Sequence, residues 1–154
     1  MTYISVTFQK MNKPAKPLSI LVVDDDADDQ YFIKEAFHQY DSDAQIAALF
    51  DGQALLDLVQ NNGIFKDHHD FQPDFIILDL NMPLVDGLEA LQRLRKLGLL
   101  NKWPIYIIST TKSEEQISQV KQYGVRQFYT KPNNLDGYKP LVKEICDSYQ
   151  TVSA

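Results

Sequence analysis

The chain has one cysteine, Cys146, in 154 residues, so no internal disulfide can form and stability must come from a packed core. At this length a single domain buries about two thirds of its unfolded surface, which suffices without a covalent staple. No apolar run approaches the roughly 20 residues that a bilayer-crossing helix takes. The opening residues, Met1 to Lys16, also lack the apolar stretch and small-residue cleavage site of a secretory leader. Basic residues are in the minority, 15 Lys and Arg against 21 Asp and Glu, for a net charge of −6. That balance argues against a nonspecific grip on nucleic acid, which needs a basic stripe to release counterions. These shortages leave a soluble cytoplasmic protein as the expectation, with neither nucleic acid nor membrane as partner.

What is present is an alternation. After a tail over residues 1–17, closed by Pro14-Ala15-Lys16-Pro17, strand-like and helix-like segments alternate five times. Within the tail, Met11 offers a second start, and a short strand from Tyr3 to Phe8 is the alternative to a structureless extension. Strand one is read as Ser19 to Val23. The helix after it starts near Asp28, with Phe32, Ile33, Ala36, Phe37 and Tyr40 on one face. Strand two is read as Ala44 to Phe50, followed by a helix carrying Leu55, Leu58 and Val59 that stops at Asn61-Asn62-Gly63. A long polar stretch, Ile64 to Pro73, contains His68-His69-Asp70. Adjacent histidines there lack the helical spacing of a zinc pair and read as solvated loop residues.

Strand three, Asp74 to Asp79, leads into a helix with Leu88, Leu91 and Leu94 inward. Strand four is Ile105 to Ser109, and Ser113-x-x-Gln116 matches a capping box opening the fourth helix, with Ile117 and Val120 apolar. Strand five is read as Val125 to Tyr129. The last helix starts near Asp136, because Pro140 is tolerated only early in a helix, and ends near Tyr149. The pattern predicts an α/β fold, a doubly wound, five-stranded parallel sheet of flavodoxin-like order 2-1-3-4-5, as one domain over residues 18–149 with a tail at 150–154. The residues after Tyr149 are too few for an output domain.

Charged residues sit where three apolar runs stop: Asp24-Asp25-Asp26 after Ile20 to Val23, Asp79 after Phe75 to Leu78, and Lys131 after Val125 to Tyr129. Continuous apolar runs are the mark of parallel strands buried on both faces. Ligands of such sheets bind beyond the carboxyl ends of the strands, so the three clusters should share one crevice. Crowded carboxylates repel one another, and a hard divalent cation such as magnesium resolves the conflict while leaving room for a phosphate. Lys131 adds a point charge and Ser109 a hydroxyl donor, and Asp79, at the mouth of a buried strand, is the best-placed nucleophile toward phosphorus.

With these residues in place the chain resembles the receiver domains of two-component response regulators. Asp24-Asp25 matches the acidic pair, Asp79-Leu80-Asn81-Met82-Pro83 with Asp86-Gly87 the phosphoacceptor motif, Ser109 the switch hydroxyl, and Lys131-Pro132 the lysine with its usually cis proline. The resemblance covers about Leu18 to Tyr149. It implies that Asp79 accepts a phosphoryl group from a sensor histidine kinase or a phosphotransfer protein, with magnesium, or manganese, as cofactor. Asp25, Asp79 and the backbone carbonyl of Asn81 would ligate the ion, and Asp24 would act through water. Lys131 and Ser109 would hold the phosphoryl oxygens, and Phe128 matches the aromatic that turns inward on activation. The family more often has Tyr there, so a phenol is missing at that position.

Phosphoryl lifetime in the family is tuned at positions matching Asn81 and Thr111. The run Asp24-Asp25-Asp26-Ala27-Asp28-Asp29-Gln30 and the long segment before strand three resemble single-domain regulators found with bacteriophytochrome-type kinases. The expected lack of an output domain motivates a further expectation, a homodimer through the face of the fourth helix, fifth strand and last helix. The family member would be a phosphoacceptor rather than an enzyme. The competing readings are a magnesium-dependent phosphohydrolase with an aspartyl-phosphate intermediate, disfavoured because Asn81 stands where such an enzyme places a second acid, and a pseudo-receiver, disfavoured by the intact acidic pair. Taken singly, the acidic run could merely cap a helix, Lys131 could be a solvated lysine, and Phe128 could be core.

Overall fold

In the computed structural model, residues 16–67 and 71–153 are described, and the two readings of residues 1–15 and the His68-His69-Asp70 loop lie outside them. The chain runs β1 (Ser19–Val23), α1 (Ala27–Tyr40), β2 (Gln45–Leu49), α2 (Gly52–Val59), a 3-10 turn at Gly63–Phe65, β3 (Phe75–Leu78), α3 (Gly87–Lys96), β4 (Ile105–Ser109), α4 (Glu114–Lys121), β5 (Gln127–Thr130) and α5 (Leu135–Ser153). All four strand pairings are parallel, in the order β2-β1-β3-β4-β5.

The continuous apolar strands exist because each feeds two cores. Side chains alternate across a strand, so Ile20 and Val22 of β1 join Ile77, Tyr106 and Ile108 on the face covered by α1 and α5, while Leu21 and Val23 join Ile76, Leu78 and Ile107 beneath α2, α3 and α4. Phe75 anchors the first core. Its ring lies 5.4 Å from Tyr106, 6.0 Å from Phe37 and 5.1 Å from Tyr149, tying β3 to β4, α1 and α5. Each such aromatic pair adds about 0.5–1.5 kcal/mol beyond area burial.

Helix starts are set by short polar side chains. Asp26, Asp51, Asp86 and Ser113 each accept a backbone N–H from the first turn of α1, α2, α3 and α4. The cap at Asp26 starts α1 at Ala27, one residue earlier than the sequence predicts. The capping box at α4 forms only in its first half. Ser113 Oγ accepts from Gln116 N at 3.2 Å, but the Gln116 side chain accepts from Thr111 Oγ1 at 2.6 Å instead of reaching back to Ser113 N.

Strand five is also shorter at its start than the sequence predicts. Val125 and Arg126 precede β5, and Gln127 and Thr130 are exposed, because this edge strand has one neighbour. The last helix begins at Leu135 and continues to Ser153, beyond the predicted Tyr149, and holds Pro140 in its second turn on an exposed face. Among the described residues no helix is long and apolar enough to cross a membrane.

Candidate phosphoacceptor site

Three backbone hydrogen bonds extend the sheet one step past its strands and fix the chemistry at its carboxyl edge. Asp24 N donates to Leu49 O at 3.0 Å, Asp79 N to Val23 O at 2.9 Å, and Lys131 N to Ser109 O at 3.0 Å. The side chains at these positions therefore leave the sheet together. Asp24 and Asp79 are buried, at 2% and 3% exposure, and Asp25 is exposed at the rim. One carboxylate oxygen from each of the three lies within 4.8 Å of the others. That is a donor set of hard oxygens with an open side, which suits a divalent cation that keeps several waters.

Lys131 closes the other side. Its Nζ stands 2.9 Å from Asp24 Oδ2, 2.9 Å from Asp29 Oδ2 and 3.1 Å from Asp79 Oδ2. Burial disfavours the ammonium, but hydrogen bonds to Asp29 and Asp24 and the charges of Asp24 and Asp79 outweigh it, so the lysine holds its proton more tightly than a free one. Burial pushes the Asp24 carboxyl up to about 6, against the pull of the Asp26 backbone N–H and of Lys131.

Around these charges the sequence-predicted residues are distributed as follows. Ser109 is fully buried at the end of β4, and its Oγ accepts from Thr111 N at 3.3 Å and from Asn81 Nδ2 at 3.5 Å. Asn81 also reaches Thr110 Oγ1 at 3.4 Å, and its backbone N–H bonds Asp79 Oδ1 at 3.3 Å. Thr111 joins this group through Ser109 and turns its hydroxyl toward Gln116 of α4. Phe128 is half-buried against the core beneath α2, α3 and α4.

The structure corrects one reading. The peptide bond before Pro132 is trans, as is every described peptide bond. Trans is the intrinsic preference of an X-Pro bond, by about 0.5–1 kcal/mol. Lys131 reaches all three carboxylates from that geometry.

Two glycines let the backbone close around the site. A Cβ on Gly87 would stand 2.3 Å from the carbonyl oxygen of Asp79, so the start of α3 packs directly against the backbone of Asp79 and Leu80. A Cβ on Gly137 would stand 2.5 Å from Pro132 Cβ, so the start of α5 seats the segment after Lys131. In the loop between β3 and α3, just before Gly87, Leu84 holds φ at 64° and is 81% exposed.

Three residues of the site have no role in it that the sequence assigns. Gln30 is buried and donates through Nε2 to the carbonyls of Asp24, at 2.7 Å, and Leu49, at 2.9 Å. Asp29 bonds Lys131, and the Tyr138 hydroxyl donates to Asp29 Oδ1 at 3.0 Å. For Gln30 a signal exists, since it lies on the stripe that continues through Ile33 and Phe37, where a polar residue has to be satisfied.

Comparison with known proteins agrees with this geometry. The family described as the response regulator receiver domain matches residues 20–143. Response regulator Rcp1 of Synechocystis sp. is 28% identical over 129 residues, covering 84% of this chain and 86% of Rcp1. The probable methanogenesis regulatory protein FilR2 of Methanothrix harundinacea is likewise 28% identical, over 84% of this chain and 81% of its own length. The crystal structure of the phosphorylated cyanobacterial phytochrome response regulator RcpA superposes with a TM-score of 0.80 at 26% identity, over 90% of this chain and 98% of that one. The Mn(2+)-bound form of Rcp1 superposes with a TM-score of 0.74 at 28% identity, over 84% and 91%.

Proposed function

This chain belongs to the response regulator receiver domain family, and we propose that it is a phosphoacceptor switch in which Asp79 takes a phosphoryl group from the phosphohistidine of a sensor histidine kinase or phosphotransfer protein. The observation that carries this reading is the convergence of Lys131 Nζ on Asp24 and Asp79, at 2.9 and 3.1 Å, from three different strand ends. Likeness to Rcp1 and RcpA directs the choice of kinase toward the phytochrome class.

In the transfer, an Asp79 carboxylate oxygen attacks phosphorus, the phosphorus–nitrogen bond breaks, and the departing imidazole nitrogen takes a proton from solvent. The site's own residues favour this by position. Burial strips water from Asp79, and its backbone neighbours hold the carboxylate at the open edge. Lys131 supplies positive charge where charge on the phosphoryl oxygens has to be met. Ser109 Oγ accepts from Thr111 N and Asn81 Nδ2, so its proton is the part of the hydroxyl left to donate to a phosphoryl oxygen. Asp25, Asp79 and the Asn81 carbonyl would hold magnesium, with Asp24 acting through water, and manganese would serve in its place, as in the related Rcp1 structure. When bound, the ion supplies charge neutralisation to the phosphoryl oxygens.

Movement of Ser109 and Thr111 toward the phosphoryl group would pull on Gln116 and so on α4, with Phe128 of β5 beside it. The output is protein contact or onward relay of the phosphoryl group. Asn81 and Thr111 would tune its lifetime, and a homodimer through α4, β5 and α5 is the contact this face offers. The buried thiol of Cys146 accords with a reducing, cytoplasmic setting.

The test is incubation with acetyl phosphate and magnesium followed by mass measurement. A single adduct that disappears in Asp79→Asn is expected. Repeated turnover of a phosphomonoester would indicate a phosphohydrolase instead, and no adduct with any donor would indicate a pseudo-receiver. Sedimentation with and without beryllofluoride tests the dimer, which a monomer in both states rules out.

A further inference from the structure

Asp29 belongs neither to the acidic pair nor to the phosphoacceptor motif, yet both of its oxygens are committed to the site. It stands in the first turn of α1, where Asp26 Oδ1 accepts its backbone N–H at 3.1 Å. Its Oδ2 lies 2.9 Å from Lys131 Nζ, and its Oδ1 accepts the Tyr138 hydroxyl at 3.0 Å. Tyr138 is fully buried on α5, with its ring 6.1 Å from that of Phe32. One carboxylate thus joins α1, the turn after β5 and the start of α5.

We propose that Asp29 is a positioning residue for Lys131, held in orientation by the Tyr138 hydroxyl. The inference rests on the phosphoacceptor reading and deepens it. An ammonium has three protons, and Asp24, Asp29 and Asp79 face them at bonding distance. Two of these acids have a second task. Asp79 would become the acyl phosphate, and Asp24 also belongs to the carboxylate cluster with Asp25 and Asp79 that would face the cation. Asp29 is outside that cluster, so it is the acid that keeps its hold on the ammonium throughout. A four-carbon side chain anchored by a fixed carboxylate presents its remaining protons to the phosphoryl group without being ordered at the moment of reaction.

The bland account is that Asp29 only complements the positive end of the α1 dipole. That explains a negative charge in the first turn. It does not explain why a buried tyrosine hydroxyl and a buried lysine both bond to it.

The experiment measures the rate of Asp79 phosphorylation by acetyl phosphate with magnesium in the full chain, Asp29→Asn, Tyr138→Phe and the double variant. Asp29→Asn should lower the maximal rate about tenfold, with the half-saturating acetyl phosphate concentration unchanged. Tyr138→Phe, which keeps the ring, should lower it about threefold, and the double variant should match Asp29→Asn because the hydroxyl acts through the carboxylate. Long-range charge works in the opposite direction, since removing a negative charge eases approach of an anionic donor. A folded Asp29→Asn protein that reacts at the wild-type rate or faster, or effects that add in the double variant, overturns the proposal. Should Asp29→Asn fail to fold, Tyr138→Phe decides, and a wild-type rate there overturns it. An unmodified wild-type chain overturns the phosphoacceptor reading itself, and this inference with it.

Discussion

Gln30 Nε2 lies 2.9 Å from the carbonyl oxygen of Leu49, inside the molecule, and its second proton goes to the carbonyl of Asp24 at 2.7 Å. A side chain on α1 thereby occupies backbone acceptors at the ends of β1 and β2, next to the acidic pair. Gln30→Leu keeps the size and removes both donors, taking the amide from the buried Asp24 carbonyl while Leu49 O keeps the Asp24 backbone N–H. A loss of about 1–3 kcal/mol in urea unfolding is expected. Weaker magnesium binding should accompany it, because the Asp24 carbonyl loses the amide that helps fix the backbone there.

Lys131→Ala tests how the site is balanced. The ammonium now neutralises three carboxylates and competes with any cation for Asp24 and Asp79. Without it the metal-free protein should lose about 3–5 kcal/mol, the usual cost of stranding buried charge. Calorimetry should show magnesium binding retained and tightened by about tenfold, since a pKa-sized change in competition is worth 1.4 kcal/mol. Phosphorylation should slow at the same time. Loss of magnesium binding on a par with Asp25→Ala would contradict the placement of Lys131 on the phosphoryl side.

The Asp24 carboxyl, raised from 3.8 to about 6 chiefly by burial, makes metal-free stability depend on pH. An acid whose folded pKa exceeds its unfolded value holds more protons when folded, so its contribution is full below about pH 4 and is lost as pH rises through 6. By pH 7 this group alone costs about 3 kcal/mol. In chelator, the urea midpoint should therefore fall between pH 5 and pH 7, and saturating magnesium should remove that fall. A midpoint that rises over this range in chelator would show that Asp24 is not held protonated.

Gly87→Ala places a methyl 2.3 Å from the carbonyl oxygen of Asp79. Backbone has to move, and overpacking of this kind costs about 1–3 kcal/mol. Because the displaced backbone carries Asp79, the phosphorylation rate should drop along with the melting temperature. A stable, fully active variant would mean that the start of α3 can slide away from the motif.

Cys146 is fully buried and its thiol is pushed up to about 12, chiefly by burial. Modification by a thiol reagent should follow global opening of the domain, with a rate that tracks denaturant concentration. Prompt labelling of the folded protein would show that α5 opens locally.

The central strands were legible in the sequence to within a residue because each apolar run serves both cores. Ser19 to Val23 and Ile105 to Ser109 fall where read. The edge strands were less so. Gln127 and Thr130 of β5 face water, and nothing in Val125-Arg126 marks where pairing starts. In the site, Asp24, Asp25, Asp79, Ser109 and Lys131 were readable because strand ends collect them. Asp29 and Tyr138, 109 residues apart, meet only through the packing of α1 on α5, which no local pattern encodes. Gln116 shows the same limit, since its amide is claimed by Thr111 from outside the helix and not by its own cap.

The close seat of Pro132 on Gly137 gives the fold a gauge for its lysine. With only hydrogen on that rung, the Lys-Pro loop settles to the depth at which one amine can span three oxygens. A methyl there would act as a shim under the loop, tilting the amine outward without altering any charged group.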